Sequence, residues 1–293
     1  MELPAAMELP PANEQPRPAW GRLLLLAAAL LWSLSGVLVK SPALAEIASP
    51  ALAGFRALIA AAVLAPLVPL RAVRFRPQLI PMVICFALMN FVFITALTRT
   101  TAAAAIFLQY TSTFWALVFG MLFLGERTER GNLVAVTFGL LGIGWIVWAD
   151  WAGERFLGNA LALVSGLSYG FVIICLRRLR QENSAWLIAL NHLVSGLVLL
   201  PWIWAAGGEF TPAQWVMIFV LGAVQMALPY LLFAASVRHV SAQEAALITM
   251  IEPILNPLWV WLMWGEQVEL HTWIGGSLIL LGLTLRYTVF RGR

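Results

Sequence analysis

Long apolar runs separated by short polar segments dominate the chain. A helix that crosses a bilayer needs about 20 mostly apolar residues, and the sequence contains ten such runs, which we number as predicted spans 1 to 10. They cover residues 20–40, 50–70, 78–98, 102–124, 131–149, 157–177, 185–206, 213–236, 243–264 and 271–290. The runs lack the alternation and the shorter length of barrel strands. The pattern therefore predicts an all-α integral membrane protein with ten transmembrane helices.

The composition agrees with a location in the lipid bilayer. Hydrophobic residues make up 61% of the chain and charged residues 11%, and the mean hydropathy is +0.87. A soluble domain is about half apolar and about a quarter charged. The net charge is +4, but the arginines form short clusters between apolar runs, so we expect no nucleic-acid partner. The Pro-, Ala- and Glu-rich residues 1–19 predict a disordered N-terminal tail.

The basic residues are distributed unequally between the two sides of the membrane. Of the 18 Lys and Arg residues, fourteen fall at the termini or in the even-numbered gaps between predicted spans. Lys40, Arg99 and Arg155 fall on the other side, and Arg56 lies within span 2. Positive charge accumulates on the cytoplasmic side. We therefore expect a multi-pass protein of the plasma membrane or bacterial inner membrane, with both termini in the cytoplasm.

The sequence repeats itself with a shift of 140 residues. Leu124-Gly125-Glu126 then falls on Trp264-Gly265-Glu266, and Leu140-Leu141-Gly142 falls on Leu280-Leu281-Gly282. The two units are residues 20–149 and 157–290, with five spans each. Five is an odd number, so the second unit enters the membrane from the opposite side and forms an inverted repeat, as in many secondary transporters. Gene duplication without a transport function is the alternative.

Several short motifs occur in a fixed order along these spans. They are Trp32-Ser33 followed by Lys40, Phe55-Arg56, a Gly-Glu pair after spans 4 and 9, and Glu252-Pro253. In this order the chain resembles the drug/metabolite transporter superfamily, and most of all its EamA-type ten-helix exporters. The resemblance implies a five-plus-five inverted bundle around a central cavity, with export of metabolites or drugs. The Trp-rich chain is most similar to the aromatic amino-acid exporter branch.

Predicted span 9 carries a polar face inside the membrane. Thr249, Glu252 and Asn256 are spaced three and four residues apart and therefore share one side of a helix. Pro253 and Pro257 each remove a backbone donor and free a carbonyl group four residues earlier. We expect a kinked helix whose freed carbonyls suit a binding site near mid-bilayer. The competing interpretation makes Glu252 a structural partner, with Arg56 as one candidate for its counter-charge.

Predicted span 4 carries the face that the repeat relates to span 9. Gln109, then Ser112 or Thr113, and Ala116 fall on that face under the shift of 140, and Tyr110 adds an aromatic wall. Because the two faces are related by the repeat, we predict that they meet at mid-bilayer and line a central cavity for the solute.

The remaining candidates are spread over several spans. Further substrate-binding candidates are Asn90 in span 3, Tyr169 in span 6 and Trp32 in span 1. The gating or coupling candidates are Arg56, Glu244, Glu252, Pro253 and Pro257. Polar side chains often only bond between membrane helices. Packing is therefore the favoured interpretation for Asn90, Tyr169, Gln225, Tyr230 and His192, and substrate binding is the alternative.

The predicted function is that of a secondary transporter, not an enzyme. We expect it to export small amphipathic metabolites, above all aromatic or other large amino acids, by alternating access. A multidrug or other metabolite efflux carrier is the alternative within transport. A membrane enzyme would need clustered acid, base or metal-binding groups, but His192, His239 and His271 are far apart in the sequence. A non-transporting receptor is the third hypothesis.

The energy source is left open between two mechanisms. The chain has no GxxxxGK[ST] loop for a nucleotide, and we expect no cofactor and no metal. Glu252 and Glu244 are the carboxylates for proton coupling, and an uncoupled facilitator is the alternative. The glycines of spans 5 and 10 allow close helix contact, so these spans form either a scaffold or the surface of a homodimer.

Overall fold

The computed structural model describes residues 17–125, 130–151, 153–236 and 239–289, and every regular element in these ranges is a helix. The first half contains α1 (Pro18–Ser33), α2 (Ser35–Val39), α3 (Ser49–Leu64), α4 (Leu79–Leu97), α5 (Ala102–Tyr110), α6 (Ser112–Leu124) and α7 (Arg130–Ala149). The second half contains α8 (Phe156–Arg178), α9 (Ser184–Val198), α10 (Leu200–Ala205), α11 (Pro212–Phe219), α12 (Leu228–Ser236), α13 (Ala242–Thr249), α14 (Glu252–Trp264) and α15 (Leu270–Thr288). A π-helix, Val220–Ala227, joins α11 to α12.

Some predictions fall on residues outside the described ranges. The tail predicted for residues 1–19 lies outside them up to residue 16, and α1 already begins at Pro18. Glu126 of the first Gly-Glu pair is outside as well, and so are Arg127 and Arg238 of the charge count.

Eight helical stretches are long and apolar enough to cross a bilayer. They are Pro18–Val39, Ser49–Leu67, Leu79–Leu97, Ala102–Leu124, Arg130–Ala149, Phe156–Arg178, Pro212–Ser236 and Glu244–Trp264. These stretches agree with predicted spans 1 to 6, 8 and 9. Predicted span 7 is divided into α9 and α10 by Pro201 in the first turn of α10. Predicted span 10 corresponds to α15, which carries His271 and Arg286 and is not one of these eight stretches. The count of ten spans therefore stays a prediction.

Spans 1, 4 and 9 are each built from two helices that meet at a break. The breaks lie at Leu34, at Thr111 and between Thr249 and Glu252. Before the first two breaks a side chain bonds back to its own helix, from Ser33 Oγ to Leu30 O and from Thr111 Oγ1 to Leu108 O. Such bonds compete with the helical ladder and bend helices. In span 9, Pro253 lies in the first turn of α14, a position that proline favours because its missing N–H would be unpaired there.

The signals that start and end these helices recur at the spacing of the sequence repeat. Thr101 caps α5 by accepting a hydrogen bond from Ala104 N, and Ser241 caps α13 through Glu244 N. Gly125 ends α6 with φ 66° and Gly265 ends α14 with φ 67°. Glycine adopts this left-handed conformation without the steric cost that a side chain brings. Both pairs are 140 residues apart in the numbering.

The main helix contacts join the two halves of the chain. α7 packs along α15, and α3 packs along α9; each pair joins the equivalent helices of the two halves. α1 packs on α12, and the equivalent contact of α8 on α4 is also formed. Gly142 and Gly275 permit the approach of α7 and α15, since a Cβ on Gly142 would meet the carbonyl oxygen of Gly275. Glycines expected to serve a scaffold or a dimer therefore serve, in part, a contact inside the chain.

The two halves nevertheless hold equivalent helices in different environments. The residues from Ala102 to Leu108 of α5 are 0–1% exposed, and α5 packs on α4, α8, α14 and α15. In the equivalent helix, α13, the residues from Ala246 to Thr249 are half-buried, and its main contacts are with α1 and α15. The bundle is therefore tightly packed around α5 and more loosely packed around α13.

Candidate functional site

The broken spans 4 and 9 touch through a tyrosine and a carboxylate. The Tyr110 hydroxyl, at the end of α5, lies 2.8 Å from Oε2 of Glu252 and 2.8 Å from the carbonyl oxygen of Thr249. One hydroxyl has one proton, so it donates to these two acceptors in turn or shares the proton between them. The break between α13 and α14 thus presents both a side-chain and a backbone acceptor to span 4.

A group of aromatic side chains extends from the Tyr110–Glu252 contact toward spans 1, 6 and 8. The side chains of Tyr169 and Tyr230 lie close to each other. The Tyr230 ring packs edge-on against the Trp32 ring, with centroids 5.3 Å apart. Tyr230 also lies near both Arg56 and Glu252. The carboxylate and the buried guanidinium of α3 therefore share an aromatic neighbour.

Arg56 is 2% exposed and among the largest fully buried side chains of the described protein. Its Nε lies 2.8 Å from Asn90 Oδ1, and Nη2 donates to the same oxygen. Asn90 is held in turn, because its Nδ2 donates to the Ala53 carbonyl and to Ser195 Oγ, each at 2.9 Å. The partner of the guanidinium is therefore a neutral amide, oriented by two further bonds.

The pairing of Arg56 with Glu252 that the sequence left open is not formed. Within the described ranges neither side chain has an oppositely charged group within 4.0 Å. Charged groups in the bilayer interior are costly and are normally paired or functional. Both residues therefore remain candidates for contact with a solute.

Two buried side chains carry polar atoms without hydrogen-bond partners in the described structure. Both ring nitrogens of His192, which is 0% exposed, make no bond there. Gln225 donates from Nε2 to Trp32 O, but its Oε1 accepts no bond. The His192 ring packs edge-on against Tyr230 at 5.5 Å and against Phe86 at 4.9 Å. Gln225 lies in the π-helix, a distortion that often marks functional sites. Unpaired buried polar groups are rare in native proteins and call for a physical reason.

The other predicted binding residues are placed less centrally. Gln109 Nε2 lies 3.1 Å from Ser165 Oγ and ties span 4 to span 6. The Thr249 hydroxyl bonds to carbonyl groups of its own helix, so only its backbone reaches Tyr110. Thr113 is half-buried and has no hydrogen-bond partner within the described ranges.

Asn256 joins α14 to span 1. This fully buried residue donates from Nδ2 to Ser35 Oγ at 2.7 Å, and one turn further Trp259 Nε1 donates to Ser33 Oγ at 2.9 Å. Both bonds hold α14 against span 1 beside its break at Leu34. Pro253 and Pro257 are also buried, the first at the start of α14 and the second inside it. These residues shape span 9 in this conformation.

Glu244 lies at the surface, in the first turn of α13. It forms an ion pair with Arg22 at 2.5 Å, and the two side chains are 29% and 58% exposed. Exposed pairs of this kind contribute little, roughly 0–1 kcal/mol. The pair connects α1 to α13 and leaves Glu252 as the candidate coupling carboxylate that lies inside the bundle.

A second polar contact closes the other end of the bundle. Lys40, just after α2, is paired with Glu266, just after α14, and its Nζ also donates to Thr100 O at 2.8 Å. Oε1 of Glu266 accepts from Ala102 N at 2.7 Å, at the start of α5. We call this cluster the Lys40–Glu266 latch. In the sequence analysis, Lys40 and the Gly-Glu pairs served only as motifs. The recurrence of the Gly-Glu pair in both halves was the signal that could have pointed to this cluster.

The side chains around the Tyr110–Glu252 contact are only half-buried, Tyr169 and Tyr230 among them. Two surface grooves lie elsewhere in the described structure, one of about 370 Å³ beside Trp273 and one of about 430 Å³ beside Arg71. The central cavity expected from the sequence stays a prediction.

These features define a multi-pass helical membrane protein with a buried polar centre beside broken helices. Comparison with known families identifies which one. The chain belongs to the EamA-like transporter family, whose model matches residues 19–148 and again residues 156–288. It is thus a membrane transporter of the drug/metabolite transporter superfamily.

Individual relatives agree with this assignment. An uncharacterized transporter of Archaeoglobus fulgidus is 31% identical over 67% of this chain and 70% of its own length. The pseudopaline exporter CntI of Pseudomonas aeruginosa is 26% identical over 89% of this chain and 93% of its own length. A solved crystal structure aligns with a TM-score of 0.68 over 94% of this chain and all of its own, at 16% identity. That likeness shows the fold alone.

Proposed function

We propose that this protein exports a small amphipathic solute by alternating access between two inverted five-helix repeats, residues 20–149 and 157–290. The proposal includes ten spans, with α9–α10 as span 7 and α15 as span 10, and both termini in the cytoplasm. Two related units allow alternating access, because each adopts in turn the conformation of the other.

The observation that carries the proposal is the unequal environment of α5 and α13. In an inverted repeat these equivalent helices lie toward opposite sides of the membrane. One is sealed by four neighbouring helices and by the Lys40–Glu266 latch, and the other is half-buried. This is the asymmetry expected of a carrier closed toward the non-cytoplasmic side.

Matched cysteines at equivalent positions test this mechanism. Leu108→Cys lies in α5, and Ile248→Cys lies at the equivalent place in α13, in a background where Cys85 and Cys175 are serine. A membrane-impermeant maleimide should label position 248 from the cytoplasmic side at least tenfold faster than it labels position 108 from the opposite side. Equal rates from both sides, unchanged by any solute, would contradict alternating access.

The proposed cargo is an aromatic or other large amino acid. Trp32 and Tyr230 supply an apolar wall, and the Tyr110–Glu252 contact supplies acceptors for an ammonium group. Counterflow into vesicles containing the purified protein, with a panel of amino acids, drugs and nucleosides, tests this choice. Exchange of drugs alone would favour the multidrug alternative, and exchange of no solute would favour a receptor. A homodimer remains a further proposal, tested by the mass of the detergent-solubilised protein.

A further inference from the structure

Two opposite charges lie in the same interior without forming a pair. Arg56 uses Nε and Nη2 on one neutral acceptor, Asn90 Oδ1, and Glu252 Oε2 accepts from the Tyr110 hydroxyl. Tyr230 lies near both charges. The guanidinium and the carboxylate therefore belong to one polar centre and are kept apart within it.

Each charge has hydrogen-bonding capacity left over. A guanidinium has five N–H donors and a carboxylate about four acceptor positions. No bond to Nη1 of Arg56 or to Oε1 of Glu252 is formed within the described ranges. A buried charge is stabilised only when its remaining positions are satisfied, so the spare donors and acceptors are available to a ligand.

His192 adds a second donor on the side of Arg56. It lies near Arg56, and its ring contacts Tyr230. A neutral imidazole always carries one N–H donor and one acceptor nitrogen, and both nitrogens of His192 are buried without partners in the described structure. A ligand acceptor reaching Arg56 would supply the hydrogen bond that this donor lacks.

From this arrangement we propose that the site binds its solute as a zwitterion. Arg56 and His192 receive the solute carboxylate, and Glu252 receives its ammonium group. The aromatic side chain packs on Trp32 and Tyr230, whose rings already touch. The inference rests on the proposed function, since it names the charge state of the exported solute, and it adds Arg56 and His192 as specificity-determining residues.

Three probes that each carry one phenyl group test the roles of the solute carboxylate and of its ammonium group separately. They are phenylalanine, phenethylamine, which lacks the carboxylate, and 3-phenylpropionate, which lacks the ammonium group. Binding to the purified full chain is followed by the rise in melting temperature with ligand concentration. We expect phenylalanine to bind at least tenfold more tightly than either analogue. This comparison uses the unmodified protein and does not depend on the folding of a variant.

Variants assign each preference to its residue. Arg56→Lys and His192→Phe should reduce the preference for phenylalanine over phenethylamine to less than threefold and leave its preference over 3-phenylpropionate intact. Glu252→Gln should do the reverse. Glu269→Gln is the control, because Glu269 forms an exposed ion pair with Arg155 and should change neither preference.

The outcomes distinguish failure of this inference from failure of the proposed function on which it rests. Equal binding of the three probes, or no binding of phenylalanine, overturns the zwitterion site. Exchange of another solute in counterflow would then still support a carrier. If no solute exchanges and the thiols at positions 108 and 248 label equally, the proposed function fails as well.

Discussion

The Lys40–Glu266 latch should hold the non-cytoplasmic side of the bundle closed. It joins Lys40, just after α2, and Glu266, two residues after the end of α14, to the first turn of α5. Glu266→Gln removes the charge and keeps an oxygen that can still accept from Ala102 N. The new amide N–H₂ would face the Lys40 ammonium, a donor against a donor, so the ion pair is lost without deleting the cap on α5.

The size of the effect follows from the burial of the pair. The side chains of Lys40 and Glu266 are 16% and 21% exposed. A hydrogen bond to a charged group contributes roughly 1.5–3 kcal/mol, and partial solvent screening reduces this to about 1–2 kcal/mol. Such a free energy corresponds to a change of about 5–30-fold in the ratio of open to closed conformations.

The assay is labelling of Leu108→Cys in α5 by an impermeant maleimide from the non-cytoplasmic side. In the Glu266→Gln protein the rate should rise about 5–30-fold, matching the population shift. Glu269→Gln is the matched control, because Glu269 pairs with Arg155 in a more exposed place, with side chains that are 49% and 40% exposed. This control variant should change the labelling rate less than threefold.

The double variant with Lys40→Met separates pairing from general damage. If the two residues act as one latch, adding Lys40→Met to Glu266→Gln should raise labelling little further, because the interaction is already lost. A rate unchanged by Glu266→Gln, or one that rises equally with Glu269→Gln, would refute the reasoning.

Three further predictions follow from the packing and the site. Gly275→Ala should overpack the contact of α7 with α15 and lower the free energy of unfolding by about 1–3 kcal/mol. Gly144→Ala, with open space around it, should leave the melting temperature in detergent nearly unchanged. Equal shifts in melting temperature for the two variants would contradict this packing. Tyr110→Phe removes the donor to Glu252 and should weaken phenylalanine binding about tenfold, a cost of about 1.4 kcal/mol; unchanged melting-temperature titrations would exclude this role. If protons drive export, Glu252→Gln should abolish the effect of an imposed pH gradient on flux into vesicles, and Glu244→Gln should preserve it; identical behaviour of the two would exclude Glu252 as the coupling carboxylate.

The polar centre shows why several residues first assigned to packing now enter the site. His192 and Tyr230 are separated by 38 positions in the numbering, and neither belongs to the face shared by spans 4 and 9. Their contact depends on how α9 and α12 are rotated about their own axes. In lipid, apolar side chains are equally compatible with lipid and with the bundle interior. Hydropathy therefore does not reveal which side of such a helix faces inward.

The amino-acid sequence by itself determined the helical class, eight of the membrane-crossing stretches and the break in span 9, but not the breaks in spans 1 and 4. The length of the apolar runs, Pro253 at the start of α14, and Gly125 and Gly265 at helix ends act within one or two turns, so they can be read from neighbouring residues. The family resemblance was likewise visible in short ordered motifs.

Only the tertiary structure decided which polar groups meet. It placed Tyr110 on Glu252 and Arg56 on Asn90, and it turned Asn256 toward Ser35. The physical reason is that helix periodicity fixes the face on which a residue lies, but the neighbour of that face depends on contacts between segments up to 226 positions apart, as in the Lys40–Glu266 latch. The contact of Tyr110 with Glu252 and the unequal packing of α5 and α13 arise at that level.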